Sequence, residues 1–158
     1  MGSILEQCRF AQVGFIVRDI EEAKKRFAVL FGCEIPPTNL CGNYETAKTE
    51  YKGRPAPEAK SKLAFFDLVP GVQLELIEPN EEPSTWREYL EEHGEGMHHI
   101  AFQVKDMDHV IAECEKEGMT LEQRGQYDDG SGQYAYLSGY KDFKCVIELL
   151  ESYEKQNP

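Results

Sequence analysis

Apolar and polar positions follow the same pattern in two parts of the chain. At residues 10–17 apolar and polar side chains alternate, which predicts a strand, and Asp19 then begins an amphipathic helix. The alternation returns at residues 97–104, where Asp106 begins a second helix. The order of elements is therefore the same in both places. The sequence indicates one structural unit used twice.

Three further strands are predicted after each helix, because short apolar runs alternate with turn residues there. In the first copy they lie near residues 44–51, 62–69 and 72–78. In the second copy they lie near residues 121–127, 133–138 and 143–150. We therefore expect an α+β fold of two βαβββ modules, at 8–80 and 96–151, joined by a linker helix at 81–95. The modules are expected to form a shared, open barrel-like cleft in one overall domain.

Four polar side chains occupy matching positions in these copies. Gln12 and His99 lie on the first strand of each module, and Glu75 and Glu148 lie on the last strand. Glu148 interrupts an apolar strand, where an unpaired carboxylate costs several kcal/mol. A divalent metal bound by one imidazole, two carboxylates and an amide oxygen would satisfy all four groups. Such mixed N/O ligation suits Zn, Ni, Co or Mn.

Each of these residues also has a simpler explanation. His99 could be a hydrogen-bonded core histidine, with His98 beside it as a surface residue of the strand. Glu75 and Glu148 could face solvent on half-exposed strands, which is the usual environment of a glutamate. The matched positions of the four side chains favour the metal site over these alternatives.

Charge narrows the range of partners. The net charge of −12 argues against binding to nucleic acid or to anionic membranes, since both require dense basic surfaces. No apolar run approaches the length of a membrane span, and no secretory signal is visible at the N-terminus. The five cysteines follow neither a disulfide nor a zinc-finger spacing. A cytoplasmic location is expected.

A basic segment between residues 48 and 62 stands out in this acidic chain. It contains Lys52, Arg54, Lys60 and Lys62. One interpretation is a solvated loop. The other is a loop that binds the phosphates or carboxylates of a substrate.

At the four candidate ligands the sequence resembles the vicinal oxygen chelate superfamily, whose members pair βαβββ modules around a divalent metal. The segments 96–101, 75–79 and 147–149 resemble methylmalonyl-CoA epimerases, and the resemblance extends to glyoxalase I enzymes. It implies the metal ligands Gln12, Glu75, His99 and Glu148. Epimerases usually have histidine at the position of Gln12, and a Gln/Glu/His/Glu set is similar to that of some glyoxalase I enzymes.

The resemblance also implies a chemistry. The expected enzyme is a metal-dependent isomerase or lyase that removes a proton from the carbon next to a carbonyl of a thioester or hemithioacetal substrate. Glu148 is expected to be a base as well as a metal ligand, and Glu50 is a candidate second base. An epimerase-like activity is the first hypothesis and a glyoxalase I-like activity is the second. A homodimer is implied by the resemblance alone.

Two other activities occur in the same superfamily. An extradiol dioxygenase would need two histidines and one carboxylate for its iron, and Gln12 argues against it. A metal-free drug-binding protein would need aromatic walls, for which Tyr134, Tyr136, Tyr140 and Phe143 are candidates. Such a binder would have no need for the matched metal ligands.

Overall fold

Ten strands form one mixed sheet in the part of the chain that the computed structural model describes, residues 3–153. The strands are β1 Arg9–Ile16, β2 Asn39–Cys41, β3 Glu50–Tyr51, β4 Arg54–Pro55, β5 Ser61–Val69, β6 Val72–Pro79, β7 Gly96–Gln103, β8 Leu121–Gln126, β9 Gly132–Leu137 and β10 Val146–Ser152. The helices are α1 Ile20–Phe31, α2 Tyr44–Ala47, α3 Thr85–His93, α4 Met107–Lys116 and α5 Tyr140–Phe143.

The order of the strands has an internal twofold pattern. It runs β2-β5-β6-β1-β7-β10-β9-β8-β3-β4, and the antiparallel pair β1 and β7 lies at its centre. On either side of this pair, β6 runs parallel to β1 and β10 runs parallel to β7. The outer strands then pair antiparallel in both halves. This arrangement confirms the predicted α+β fold, in which the sheet curls into a half-barrel.

The helices α1 and α4 begin differently, although their sequences suggested the same cap. The Asp19 carboxylate accepts the backbone N–H of Glu22 at 3.0 Å, as an N-cap residue should. Asp106 has a left-handed backbone, and its side chain makes no capping bond. The Glu151 carboxylate on β10 accepts the Asp106 N–H instead, at 2.7 Å. The predicted side-chain cap at Asp106 is therefore wrong, and a tertiary contact replaces it.

Two predicted strands contain helical turns. Residues 44–47 form α2, because the Asn43 side chain accepts the Glu45 N–H and Lys48 ends the turn in a left-handed conformation. Residues 140–143 form α5, and β10 begins only at Val146. The left-handed residues Lys48 and Lys144 thus interrupt the strand pattern at both positions, and a side-chain cap contributes at α2 alone of these two turns.

Apolar clusters lie on both faces of the sheet. One packs beneath α1 in the first half and one packs beneath α4 in the second. A third lies under α3 and joins both halves through Ile16, Ile77, Trp86, Tyr136 and Val146. The central strands are consequently buried on both faces, which explains how polar side chains can be enclosed there. Within residues 3–153, no helix has the length and apolar composition needed to cross a membrane.

The segment 42–49 joins the two ends of the sheet. The chain leaves the first half at β2 and pairs again as β3 with β8 of the second half. The Asp128 carboxylate accepts the backbone N–H of Gly42 at 3.1 Å and that of Asn43 at 3.5 Å. A carboxylate from one module thus holds the connecting segment of the other.

We expect Asp128→Ala to lower the free energy of unfolding by about 1–2 kcal/mol, because two backbone donors lose a charged acceptor. Asp129→Ala is the matched control, since the Asp129 side chain hydrogen-bonds only within its own turn, to Ser131. Urea denaturation of both variants measures the difference. An Asp128→Ala variant with the stability of the wild type would show that the contact across the sheet ends contributes nothing.

Candidate metal centre

The four predicted ligands meet at the centre of the sheet. Gln12, Glu75, His99 and Glu148 lie on β1, β6, β7 and β10, which are neighbours in the strand order. His99 Nε2 lies 3.0 Å from Glu148 Oε2, 3.3 Å from Glu75 Oε2 and 3.4 Å from Gln12 Oε1. Every one of these residues is at least 95% buried. The twofold arrangement of the modules is what brings these distant residues together.

Gly14 makes room for the His99 ring. It lies opposite His99 in the β1–β7 register, and a Cβ atom built on it would overlap the imidazole ring. Any side chain at this position would therefore displace the ring from the carboxylates. Glycine is needed here for close approach of a side chain to the backbone.

His98 is fully buried, so the surface position that the alternative explanation of His99 assigned to it is wrong. Register partners change from Gly14 with His99 to Phe15 with Met97, so His98 is the extra residue of a β-bulge. The bulge allows the imidazoles of His98 and His99 to meet, with their Nδ1 atoms 3.0 Å apart. His98 Nε2 lies 3.3 Å from Thr85 Oγ1 at the start of α3.

Burial and charge change the pKa values of three of these groups. For His99, removal from water disfavours the charged ring, but Glu148 and Glu75 outweigh this and raise its pKa to about 10. Removal from water raises the pKa of Glu75, and the close contact with His99 offsets part of that shift. For His98, burial and the nearby charge of His99 lower the pKa well below its ordinary value. In the metal-free protein the imidazolium of His99 thus lies between two carboxylates.

The donor set fits a divalent cation. Glu75 Oε2 and Glu148 Oε2 are buried without a well-directed hydrogen bond, although both lie within ion-pair distance of His99. One atom each from Glu75, His99 and Glu148 lie within 4.8 Å of one another. Ligand atoms about 2.1 Å from an ion lie roughly 3.0–3.4 Å apart in octahedral or tetrahedral sites. The separations measured from His99 Nε2 match this range, and a cation would satisfy both free carboxylate oxygens.

The stability of the metal-free protein is expected to depend on pH through His99. The folded state holds the His99 proton up to about pH 10, whereas the unfolded state releases it near 6.5. The stabilisation is therefore complete below pH 6.5 and is lost as the pH rises towards 10. Urea denaturation in the presence of a chelator, compared with His99→Gln, isolates this contribution. A wild-type pH profile parallel to that of the variant would contradict the expectation.

A cavity of about 740 Å³ opens above the candidate metal centre. Gln12, Glu75 and Glu148 line its floor, with His99 buried behind them. Aromatic side chains form much of the wall: Phe65, Trp86, Tyr127, Tyr134 and Tyr136. Charged side chains on the remaining wall are Arg9, Asp67, Asp128 and Asp129. Three of the four candidate ligands are thus accessible to a small molecule from this cavity.

The predicted second base and the predicted anion-binding loop lie outside this cavity. Glu50 is exposed on β3, which pairs with β8 near one end of the sheet, and it does not line the cavity wall. The basic residues Lys52, Arg54, Lys60 and Lys62 are also absent from the wall. Three of them form ion pairs. Lys52 pairs with Glu88, Lys60 with Glu58 and Lys62 with Glu78. Local ion pairing and strand position separate all five residues from the metal centre.

The four aromatic residues proposed for a drug-binding wall also fall partly inside and partly outside the cavity. Tyr134 and Tyr136 line the cavity, but Tyr140 and Phe143 are exposed on α5 and do not. Sequence reasoning missed Trp86, which α3 brings to the cavity wall although its segment resembled a linker. The sole tryptophan of the chain, on an amphipathic helix between the modules, was the available signal.

The two related halves of the sheet meet at two buried carboxylates and an imidazole, beside one cavity that both halves line. The family model of the Glyoxalase/Bleomycin resistance protein/Dioxygenase superfamily matches residues 11–136. The chain belongs to this superfamily, and the resemblance found in the sequence is confirmed.

The individual proteins similar to this chain have low sequence identity to it. The uncharacterized protein YqjC of Bacillus subtilis (strain 168) is 32% identical over 95 residues, which are 60% of this chain and 67% of that protein. A Streptomyces coelicolor methylmalonyl-CoA epimerase variant, in complex with 2-nitronate-propionyl-CoA, has a TM-score of 0.66 at 21% identity, with 95% of this chain and 98% of that chain covered. The Mycobacterium tuberculosis epimerase has a TM-score of 0.66 at 18% identity, covering 98% and 93%. At these identities the structural likeness shows the fold.

Proposed function

We propose that this protein is a metal-dependent enzyme that removes a proton from the carbon next to a carbonyl group, with an epimerase-like activity on a small thioester. The observation that carries the proposal is the buried set of Gln12, Glu75, His99 and Glu148 at the floor of an accessible cavity. Two buried carboxylates that share one imidazole are costly, and a functional site is the usual reason for keeping such a group.

The four ligands would hold a divalent ion such as Zn, Ni, Co or Mn. When bound, that ion would polarise the carbonyl oxygen of the substrate and lower the pKa of the adjacent C–H. The chain itself supplies the proton transfer. Glu148 is the proposed base, since its carboxylate lines the cavity on the second module.

A second base is needed to return a proton to the opposite face of the substrate carbon. Glu75 is better placed for this role than Glu50, because it lines the cavity and lies on the strand equivalent to that of Glu148. The substrate loses one proton and regains one, so no oxidant or reductant is required.

The cavity wall favours a second candidate function, the binding of an uncharged or cationic aromatic molecule. Asp67, Asp128 and Asp129 face a single basic side chain, Arg9, and the wall is rich in aromatic rings. A coenzyme A thioester would therefore keep its phosphates outside this cavity.

A glyoxalase I-like activity on a hemithioacetal uses the same ligands and is tested in the same experiment. The homodimer remains a prediction.

Metal analysis of the purified protein, followed by deuterium exchange into methylmalonyl-CoA in D₂O, tests the proposal. We expect about one equivalent of a transition metal and exchange that is lost with a chelator. Exchange absent with methylmalonyl-CoA, but turnover of methylglyoxal and glutathione, would favour the glyoxalase alternative. A protein without metal that still binds aromatic cations would overturn the enzymatic proposal.

The variant Glu50→Gln tests whether Glu50 is the second base, as the sequence predicted, although the structure places it outside the cavity. We expect deuterium exchange by this variant to stay within about twofold of the wild type, because its side chain does not reach the cavity. Glu75→Gln is the comparison variant and is expected to lose at least about 100-fold. A large loss in Glu50→Gln would restore Glu50 as the second base.

A further inference from the structure

The residue next to the histidine ligand is buried without a role in the proposed chemistry. His98 is 0% exposed, as is His99, and its ring packs edge-on against Tyr89 and Tyr136. An imidazole enclosed in this way needs partners for both ring nitrogens. The partner of His98 Nδ1 is His99, and the partner of His98 Nε2 is the Thr85 hydroxyl.

The bond between the two histidines has only one possible direction when His99 binds a metal. Coordination uses the lone pair on His99 Nε2, the atom that faces Glu75, Glu148 and Gln12. A neutral imidazole then carries its hydrogen on Nδ1, which lies 3.0 Å from His98 Nδ1. His98 Nδ1 must accept this bond, because two N–H groups cannot point at each other.

The next bond follows from the first. With Nδ1 as acceptor, His98 carries its own hydrogen on Nε2, which lies 3.3 Å from Thr85 Oγ1. Thr85 is fixed in turn, since its backbone N–H donates to Gln123 Oε1 at 2.9 Å. The start of α3 is therefore linked to the metal centre through two imidazole rings.

We propose that His98 is a positioning residue, which accepts the Nδ1–H of His99 and so holds the His99 Nε2 lone pair towards the metal. The inference rests on the proposed function, because it assumes that His99 is a ligand. Metal-binding histidines usually donate their second N–H to an acceptor, and loss of that acceptor costs about 10- to 100-fold in metal affinity. Here the acceptor is a second histidine, made available by the β-bulge.

Two substitutions of His98 separate hydrogen bonding from packing. His98→Phe keeps an aromatic ring but removes the acceptor, and we expect zinc affinity to fall about 10- to 100-fold. His98→Asn places an amide oxygen near the position of Nδ1, and its affinity is expected to stay within about threefold of the wild type. His109→Phe is the control, because His109 is exposed on α4. Zinc affinity is measured by competition with a chromogenic chelator.

The tautomer of His99 provides a readout that needs no variant. In the zinc-loaded wild type, long-range ¹H–¹⁵N correlation spectra of ¹⁵N-histidine-labelled protein should show the His99 hydrogen on Nδ1. A folded His98→Phe variant with wild-type zinc affinity would overturn the inference but leave the proposed function intact. A hydrogen on His99 Nε2 in the zinc-loaded protein would exclude coordination through that atom and overturn both. A wild type that binds no zinc, cobalt, nickel or manganese would overturn both.

Discussion

Glu148→Gln is expected to slow deuterium exchange at least about 100-fold, and the same change is expected to stabilise the metal-free protein. The loss of rate follows from removal of the proposed base and of one metal ligand. The gain in stability follows from charge. Without metal, two buried carboxylates share the single imidazolium of His99, and the substitution leaves a matched pair with Glu75. The expected gain is about 1 kcal/mol, in line with the trade-off between stability and activity at functional sites.

Urea denaturation with and without added metal measures the change in stability, and deuterium exchange into methylmalonyl-CoA measures the change in rate. The wild type is expected to gain stability on adding metal, as any ligand that binds only the folded state must cause. Glu148→Gln is expected to gain little. Glu82→Gln is the control, because Glu82 is exposed on the loop before α3. A Glu148→Gln variant that metal stabilises as strongly as the wild type would exclude Glu148 as a ligand.

Gly14→Ala is expected to lower metal affinity at least about 100-fold and the free energy of unfolding by about 2–3 kcal/mol. A methyl group at Gly14 would occupy the space of the His99 ring, which is fully buried and packs against Tyr136. The ring must therefore move away from Glu75 and Glu148. Metal sites tolerate displacements of only about 0.5 Å in their ligands.

A double-mutant cycle distinguishes this clash from a general effect on the strand. In the background of His99→Ala the methyl group has space, so Gly14→Ala should then cost little stability. The coupling free energy from urea denaturation is the quantity to measure. Additive losses in the two single variants would place the effect of Gly14→Ala elsewhere in β1, and the steric account would be wrong.

These substitutions show how the site depends on the duplication. Gly14 and Gln12 belong to one strand of the first module, and His99 belongs to the equivalent strand of the second. The two strands are antiparallel neighbours, so the glycine of one module provides the space for the histidine of the other. A metal site of this kind requires both modules to fold on a common sheet.

Much of the fold was predictable from periodicity. The alternation in β1 and β7 and the start of α1 at Asp19 correspond to short-range patterns, and the structure has these elements. Local chemistry that competes with the pattern was harder to anticipate. The turns of α2 and α5 depend on backbone capping and on left-handed Lys48 and Lys144, which apolar alternation does not encode.

The sequence by itself determined which side chains are candidates for a metal site, because Gln12, Glu75, His99 and Glu148 occupy equivalent positions of a repeated unit. Only the tertiary structure decided which charged residues reach the same cavity as these four. Glu50 and the basic residues are near the first module in sequence, yet strand pairing and ion pairs hold them outside the cavity. Likewise, the burial of His98 depends on a bulge between two strands that lie far apart in the chain. A repeat in the sequence identifies equivalent positions in the two modules. The distance between two side chains, and the burial of each, depend on which strands become neighbours in the sheet.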